Sequence, residues 1–201
     1  MTNAFFYGIL LALGLIVPLG VQNIFIFQQG ALQKRFHYAF PSILTAFICD
    51  TILILCAVLG VSMIVFTLPL LKNIIYIGGF FFLCYMGWLT WRSSPSVRNN
   101  SAPLSAKAQV GFAMSVSLLN PHALIDSIGV IGTNALMFNG SEKWIFTLAC
   151  ISVSFFWFLA LAITGRIFYQ FDKTGFGMLF LNKISALIIW SVAVYIAFQL
   201  L

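Results

Sequence analysis

Two carboxylates stand where carboxylates are costly. Asp50 and Asp126 each lie inside a long apolar run, whereas the other two acids, Glu142 and Asp172, fall in polar stretches. A charge at the bilayer centre costs about 2.5–3.5 kcal/mol on insertion scales, and such residues usually face a bundle interior and serve an ion or substrate path. Burial disfavours the ionised carboxylate and a bound cation favours it. The pair could therefore bind a cation, a proton, or each in turn. The plainer alternative is a polar clamp between helices, with Asp50 held by a Ser or Asn of a neighbour.

Other polar groups cluster near the same points of the sequence. His122 precedes Asp126 by four residues, which puts both on one face if a helix runs on after Pro121. Such a pair could relay a proton. As a metal site it lacks a third and fourth ligand nearby, so no metal or other cofactor is expected. Gln22 and Asn23 read equally well as substrate ligands or as interhelical hydrogen-bond partners. Both polar stretches contain helix breakers. In Pro18-Leu19-Gly20-Val21-Gln22-Asn23, Gly20 permits unusual backbone angles. In Asn120-Pro121-His122-Ala123-Leu124-Ile125-Asp126, Asn120 suits an N-cap and Pro121 the first helical position. A half-helix starting inside the membrane would carry free N–H groups and partial positive charge, which suits a carboxylate.

The elements that position these groups follow from composition. Of 201 residues, 62% are apolar and only 7% charged, against about 25% charged in soluble domains. That excludes a soluble globular domain, a disordered chain and a disulfide scaffold. A span needs about 20 apolar residues, and six segments of that kind are visible, at about 4–27, 41–66, 73–91, 108–138, 144–165 and 184–201. Irregular backbone facing lipid is excluded, so each is predicted to be helical. The first lacks a basic leader and is too long for a signal peptide's apolar core, so it is predicted to remain as the first span.

The fourth segment would make a straight helix of about 46 Å, longer than the roughly 30 Å hydrocarbon core, and Pro121 is the natural place to interrupt it. The polar stretch 92–107 divides the chain into repeat 1 (about 1–91) and repeat 2 (about 108–201) of one transmembrane domain. Gly8 precedes Pro18 by ten residues, and Gly111 precedes Pro121 by ten. The same offset aligns Asn23 with Asp126. Three spans per repeat invert the second repeat relative to the first. Inverted repeats with matched broken helices point to a transport site near the midplane. The predicted fold is thus an all-α membrane protein of two inverted three-helix repeats, the first helix of each broken at Pro18 and Pro121.

Charge sets orientation. Lys34, Arg35, Arg92, Arg98, Lys107, Arg166, Lys173 and Lys183 fall on the side of the odd loops, and only Lys72 and Lys143 on the other. The positive-inside rule makes the odd loops cytoplasmic. The formal charge of +6 is spread over these loops with no basic run beyond Lys34-Arg35, so it reads as topology and not as nucleic-acid binding. Cys49, Cys56, Cys84 and Cys150 lie inside apolar segments without a CxxC spacing and read as packing residues. That argues against a membrane thiol-redox carrier. No nucleophile elbow, zinc-protease motif or phosphate loop suggests an enzyme.

The chain resembles the LysE/ArgO family of basic amino-acid exporters along nearly its whole length. The resemblance rests on Pro18-Leu19-Gly20-Val21-Gln22-Asn23-Ile24-Phe25, similar to PLGPQN with Val21 for the second proline; on Asp50; and on Leu119-Asn120-Pro121-His122-Ala123-Leu124-Ile125-Asp126, similar to LNPHxxLD with Ile125 for Leu. The related homoserine/threonine exporters usually carry a PGPN-like first motif and typically lack both aspartates. The resemblance implies export of L-lysine or L-arginine across a bacterial inner membrane, with Asp50 and Asp126 important for transport. Competing readings are an exporter of neutral amino acids or of divalent cations. Exporting a net positive solute against a negative-inside potential costs about 2.3 kcal/mol per charge per 100 mV. Exchange for an incoming proton would remove that cost. A bundle of 22.3 kDa could work in the lipid alone or as a homodimer.

Overall fold

The computed structural model describes residues 1–17, 20–60, 69–92, 103–118, 126–172 and 176–198. Every regular element among them is helical: α1 (Thr2–Ile16), α2 (Val21–Leu32), a 3-10 turn (Phe36–Ala39), α3 (Phe40–Val58), α4 (Pro69–Arg92), α5 (Ala106–Leu118), a π-helix (Asp126–Gly132) with a short turn Thr133–Ala135, α6 (Ser141–Phe171) and α7 (Phe176–Phe198). Large apolar side chains cover the outside, among them Leu10 at 70% and Phe156 at 65% exposed. That surface suits lipid, not water. Two single helical stretches among the described residues, Phe36–Val58 and Ser141–Phe171, are long and apolar enough to span a bilayer.

The first predicted segment is broken, as its proline requires. A proline cannot donate to the preceding turn and clashes with the carbonyl four residues back. Helix α1 stops at Ile16, α2 restarts at Val21, and their axes differ by 83°. Pro18 itself lies outside the described residues, as do Asn120, Pro121 and His122.

Several predicted boundaries move. The second helix ends at Val58, where Gly60 takes the left-handed φ of +78°, and the rest of the predicted segment, to Phe66, lies outside the described residues. The fifth runs from Ser141 to Phe171 and absorbs Arg166. The sixth begins at Phe176 and not near Ile184.

Helix α6 is the spine of the bundle. Helix α3 runs antiparallel to it: Ile54 and Val58 share a cluster with Phe146 and Cys150, while Ile43 and Ala46 pack with Phe158 and Ala162. Helices α1 and α2 both pack on α6 in the same chain sense, α1 against its first half and α2 against its second. The Met1 amino group meets Glu142 Oε1 at 2.5 Å, and the Cys150 thiol lies 3.6 Å from the Gly8 carbonyl oxygen. Further along, a Cβ on Gly30 would overlap the Ala162 carbonyl and one on Gly165 the Phe27 carbonyl, so α2 and α6 touch backbone to backbone.

Helix α5 and the π-helix lie along α3 in the same sense. Gln109 Nε2 donates to the Tyr38 carbonyl at 2.9 Å, and a Cβ on Gly132 would come 3.2 Å from the Ala57 carbonyl oxygen. Helices α4 and α7 pair antiparallel, with Trp91 and Trp190 rings 5.6 Å apart and Lys183 Nζ donating to the Trp91 carbonyl at 2.7 Å. This pair joins the rest through Val21 and Ile24, which pack with Leu83, Met86 and Ile189, and through Gln28 Nε2 donating to Asn182 Oδ1 at 2.7 Å.

Candidate functional site

Asp50 sits in the middle of the inward face of α3. At 100° per residue, Ile43, Ala46, Leu53, Ile54 and Ala57 share its side of the helix, and all five are buried. The opposite side carries Leu44, Ile48 and Ile52, all exposed. Asp50 nevertheless keeps part of its own surface accessible.

Both carboxylate oxygens accept a hydrogen bond from an uncharged donor. Gln22 Nε2 of α2 donates to Oδ1 at 3.2 Å, and Ser154 Oγ of α6 donates to Oδ2 at 2.9 Å. Three helices thus meet at one carboxylate. Among the described residues no Lys, Arg or His faces it, and the one ion pair found there is that of Met1 with Glu142. Among them, Asp50 is a carboxylate at depth without a counter-ion.

The helix break is level with this point. Gln22 lies in the first turn of α2, just past Gly20, whose φ of −90° and ψ of 176° are the extended geometry of an N-cap. The positive end of α2 therefore begins beside Asp50. Asn23 turns elsewhere, and its Nδ2 donates to the Ile16 carbonyl at 2.6 Å. That bond satisfies a carbonyl left open where α1 stops. Gln22 and Asn23, at 8% and 5% exposed, are both drawn into the interior.

In the second half, Asp126 begins the π-helix. Its side chain and those of Asn120 and His122 lie outside the described residues. Near the end of α5, Ser117 is a fully buried hydroxyl beside Cys49, with no hydrogen-bond acceptor of its own among the described residues.

Ser117 and Ser154 are the polar residues that motif reasoning passes over. The signal for Ser154 is a four-residue spacing, since Phe146, Cys150, Ser154, Phe158 and Ala162 form one buried stripe. The four cysteines are free thiols. An apolar groove of about 420 Å³ between α1 and α6 is lined by Phe5, Leu13, Phe156 and Trp157 and lies on the lipid side.

Comparison with known proteins gives this geometry a family. The profile of the LysE type translocators matches residues 13–200. YisU of Bacillus subtilis (strain 168), by name a candidate amino-acid transporter, is 53% identical over 199 residues, covering 98% of this chain and 90% of YisU. The arginine exporter protein ArgO of Serratia proteamaculans (strain 568) is 28% identical over 204 residues, covering 99% and 98%. ArgO of Escherichia coli (strain K12) is 27% identical over 205 residues, covering 98% and 94%. No solved structure matches the chain. With a family match from residue 13 to residue 200 and relatives aligned over nearly their whole length, this chain belongs to the LysE family of membrane translocators.

Proposed function

We propose that this protein exports a basic amino acid, L-lysine or L-arginine, from the cytoplasm across the bacterial inner membrane in exchange for a proton. One observation carries the reading: Asp50 is held at the level of the helix break by two neutral donors, with no cation opposite it among the described residues. A buried charge without a partner is strongly disfavoured. Its partner arrives with the cargo, as the ammonium or guanidinium end of the substrate, or as a proton on the return. The substrate carboxylate goes to a half-helix N-terminus, α2 in the first repeat. The names of the ArgO relatives agree with a cationic cargo.

The packing supports six crossings in two inverted repeats. The helices of the first predicted segment in each half pack in the same chain sense along the second helix of the other half. Each half also presses a glycine on an alanine carbonyl there, Gly30 on Ala162 and Gly132 on Ala57. Depth supports Asp126 as the second carboxylate. Gly132 is level with Ala57. Asp126 starts six residues before Gly132, at most about 9 Å away along the axis. Asp50 lies seven residues before Ala57, about 10.5 Å away. The two chains run the same way, so both aspartates fall at nearly one depth. Asn120 and His122 belong to the same stretch and complete the proposed site.

The test is efflux from cells loaded with lysine- or arginine-containing dipeptides. Cells producing the protein are expected to release the basic amino acid faster than cells without it, and Asp126→Asn is expected to abolish the gain. In proteoliposomes, arginine movement is expected to drive protons the opposite way. Efflux of neutral amino acids alone would overturn the cargo. Arginine transport without proton counterflow would overturn the coupling.

A further inference from the structure

Hydroxyls on several of these helices follow one habit, and Ser154 departs from it. Ser152 donates to the Leu148 carbonyl at 2.7 Å, Thr147 to Lys143 at 2.7 Å, Ser115 to Gly111 at 2.8 Å, Thr51 to Phe47 at 2.8 Å and Ser191 to Leu187 at 2.8 Å. Each bonds the carbonyl four residues back, the default for a helical Ser or Thr at depth. Ser154 turns away from the Cys150 carbonyl and donates to Asp50 Oδ2 at 2.9 Å. It is 3% exposed, so it acts on the site through Asp50.

We propose that Ser154 is a positioning residue for Asp50, fixing the carboxylate so that its unused lone pairs face the cargo; this rests on the reading of Asp50 as the cation site. An ionised carboxylate has about four acceptor positions. Ser154 from α6 and Gln22 from α2 take one on each oxygen and leave the others for a cation. With two donors on different helices, the carboxylate cannot swing without breaking a bond. Without Ser154, one oxygen is untethered and the cation meets a carboxylate of variable aim.

Uptake of labelled L-arginine into everted membrane vesicles tests this at equal protein level. Ser154→Ala is expected to raise the half-saturating concentration about 5- to 10-fold with the maximal rate within about twofold of wild type, within the range of one ordinary intramolecular hydrogen bond lost. Ser154→Thr, which keeps the hydroxyl, is expected to return the half-saturating concentration to within about twofold. Ser152→Ala, two residues away with its hydroxyl on the Leu148 carbonyl, is the control and is expected to behave as wild type. Should Ser154→Ala fail to insert, Ser154→Cys keeps the volume with a far weaker donor and carries the same expected rise.

An unchanged half-saturating concentration, or equal impairment in the Ala and Thr variants, overturns the proposal. Asp50→Asn in the same vesicles separates the two levels. If Asp50→Asn transports normally, the cation site itself is lost. If Asp50→Asn is inactive while Ser154→Ala is normal, only the positioning role fails.

Discussion

Replacing Asp50 by Asn removes a charge while leaving the local hydrogen bonds intact, and the structure shows why. The Asn carbonyl can accept from Ser154 as Oδ2 does now, at 2.9 Å. The new amide nitrogen would then face Gln22 Nε2, donor against donor, where the present bond is 3.2 Å. A half-turn of the Gln22 amide presents its oxygen instead and restores the bond. The Asn variant therefore keeps both bonds and is expected to unfold in detergent close to the wild type. Asp50→Ala is different: Ser154 can return to the Cys150 carbonyl, but Gln22 is stranded, at about 1–3 kcal/mol. The difference between the two variants isolates geometry from charge. Losing the charge opposite a buried cation costs about 2–5 kcal/mol, or at least about 30-fold in affinity. The assay is counterflow in proteoliposomes with arginine and with citrulline, which replaces the guanidinium by a neutral group of nearly the same shape. Wild type is expected to prefer arginine by at least that factor, and Asp50→Asn is expected to lose the preference. If Asp50→Asn folds and still discriminates arginine from citrulline as wild type does, Asp50 does not read the cation and the reasoning fails.

Two further outcomes concern packing. Gly30→Ala would drive a methyl into the Ala162 carbonyl, whereas a Cβ on Gly14 meets nothing within 4 Å; thermal unfolding in detergent is expected to show a loss of at least about 1–3 kcal/mol for the first and no loss for the second. Arg166 Nη1 donates to the Gln33 carbonyl at 2.6 Å and Nη2 to the Lys34 carbonyl at 3.2 Å, so Arg166→Gln is expected to speed hydrogen exchange over residues 33–39 while leaving α3 protected.

What could be read in the sequence was what bilayer physics constrains tightly. A carboxylate in an apolar run must face inward, and Asp50 does. A proline after a long apolar helix must interrupt it, and α1 and α2 part at 83°. What could not be read was set by contacts between distant segments. Ser154 looks like any helical serine until Asp50 outcompetes its own carbonyl. Gln22 and Asn23 are neighbours of similar chemistry, yet one reaches Asp50 and the other caps Ile16; which does which depends on the bend angle. Arg166 reads from the sequence as a loop cation beyond the fifth apolar segment, yet it lies within a helix. Arg is a good helix former, and its long stem carries the guanidinium to neighbouring carbonyls, so α6 runs on to Phe171.

The isolation of Asp50 also bears on why an exporter of this kind would exchange one cation for another. Two neutral donors stabilise an ionised carboxylate but leave its charge in place. Carrying that charge across a potential costs about 2.3 kcal/mol per 100 mV, in addition to its burial. On the proposed reading, the empty site turns slowly while Asp50 is ionised, and quickly once a proton or the cationic end of the cargo neutralises it. Outward passage with a basic amino acid and return with a proton then both move a neutral site, and neither solute leaks alone. Such a device needs a carboxylate with no resident counter-ion, because a Lys or Arg beside it would neutralise it permanently. Among the described residues, the surroundings of Asp50 meet that requirement.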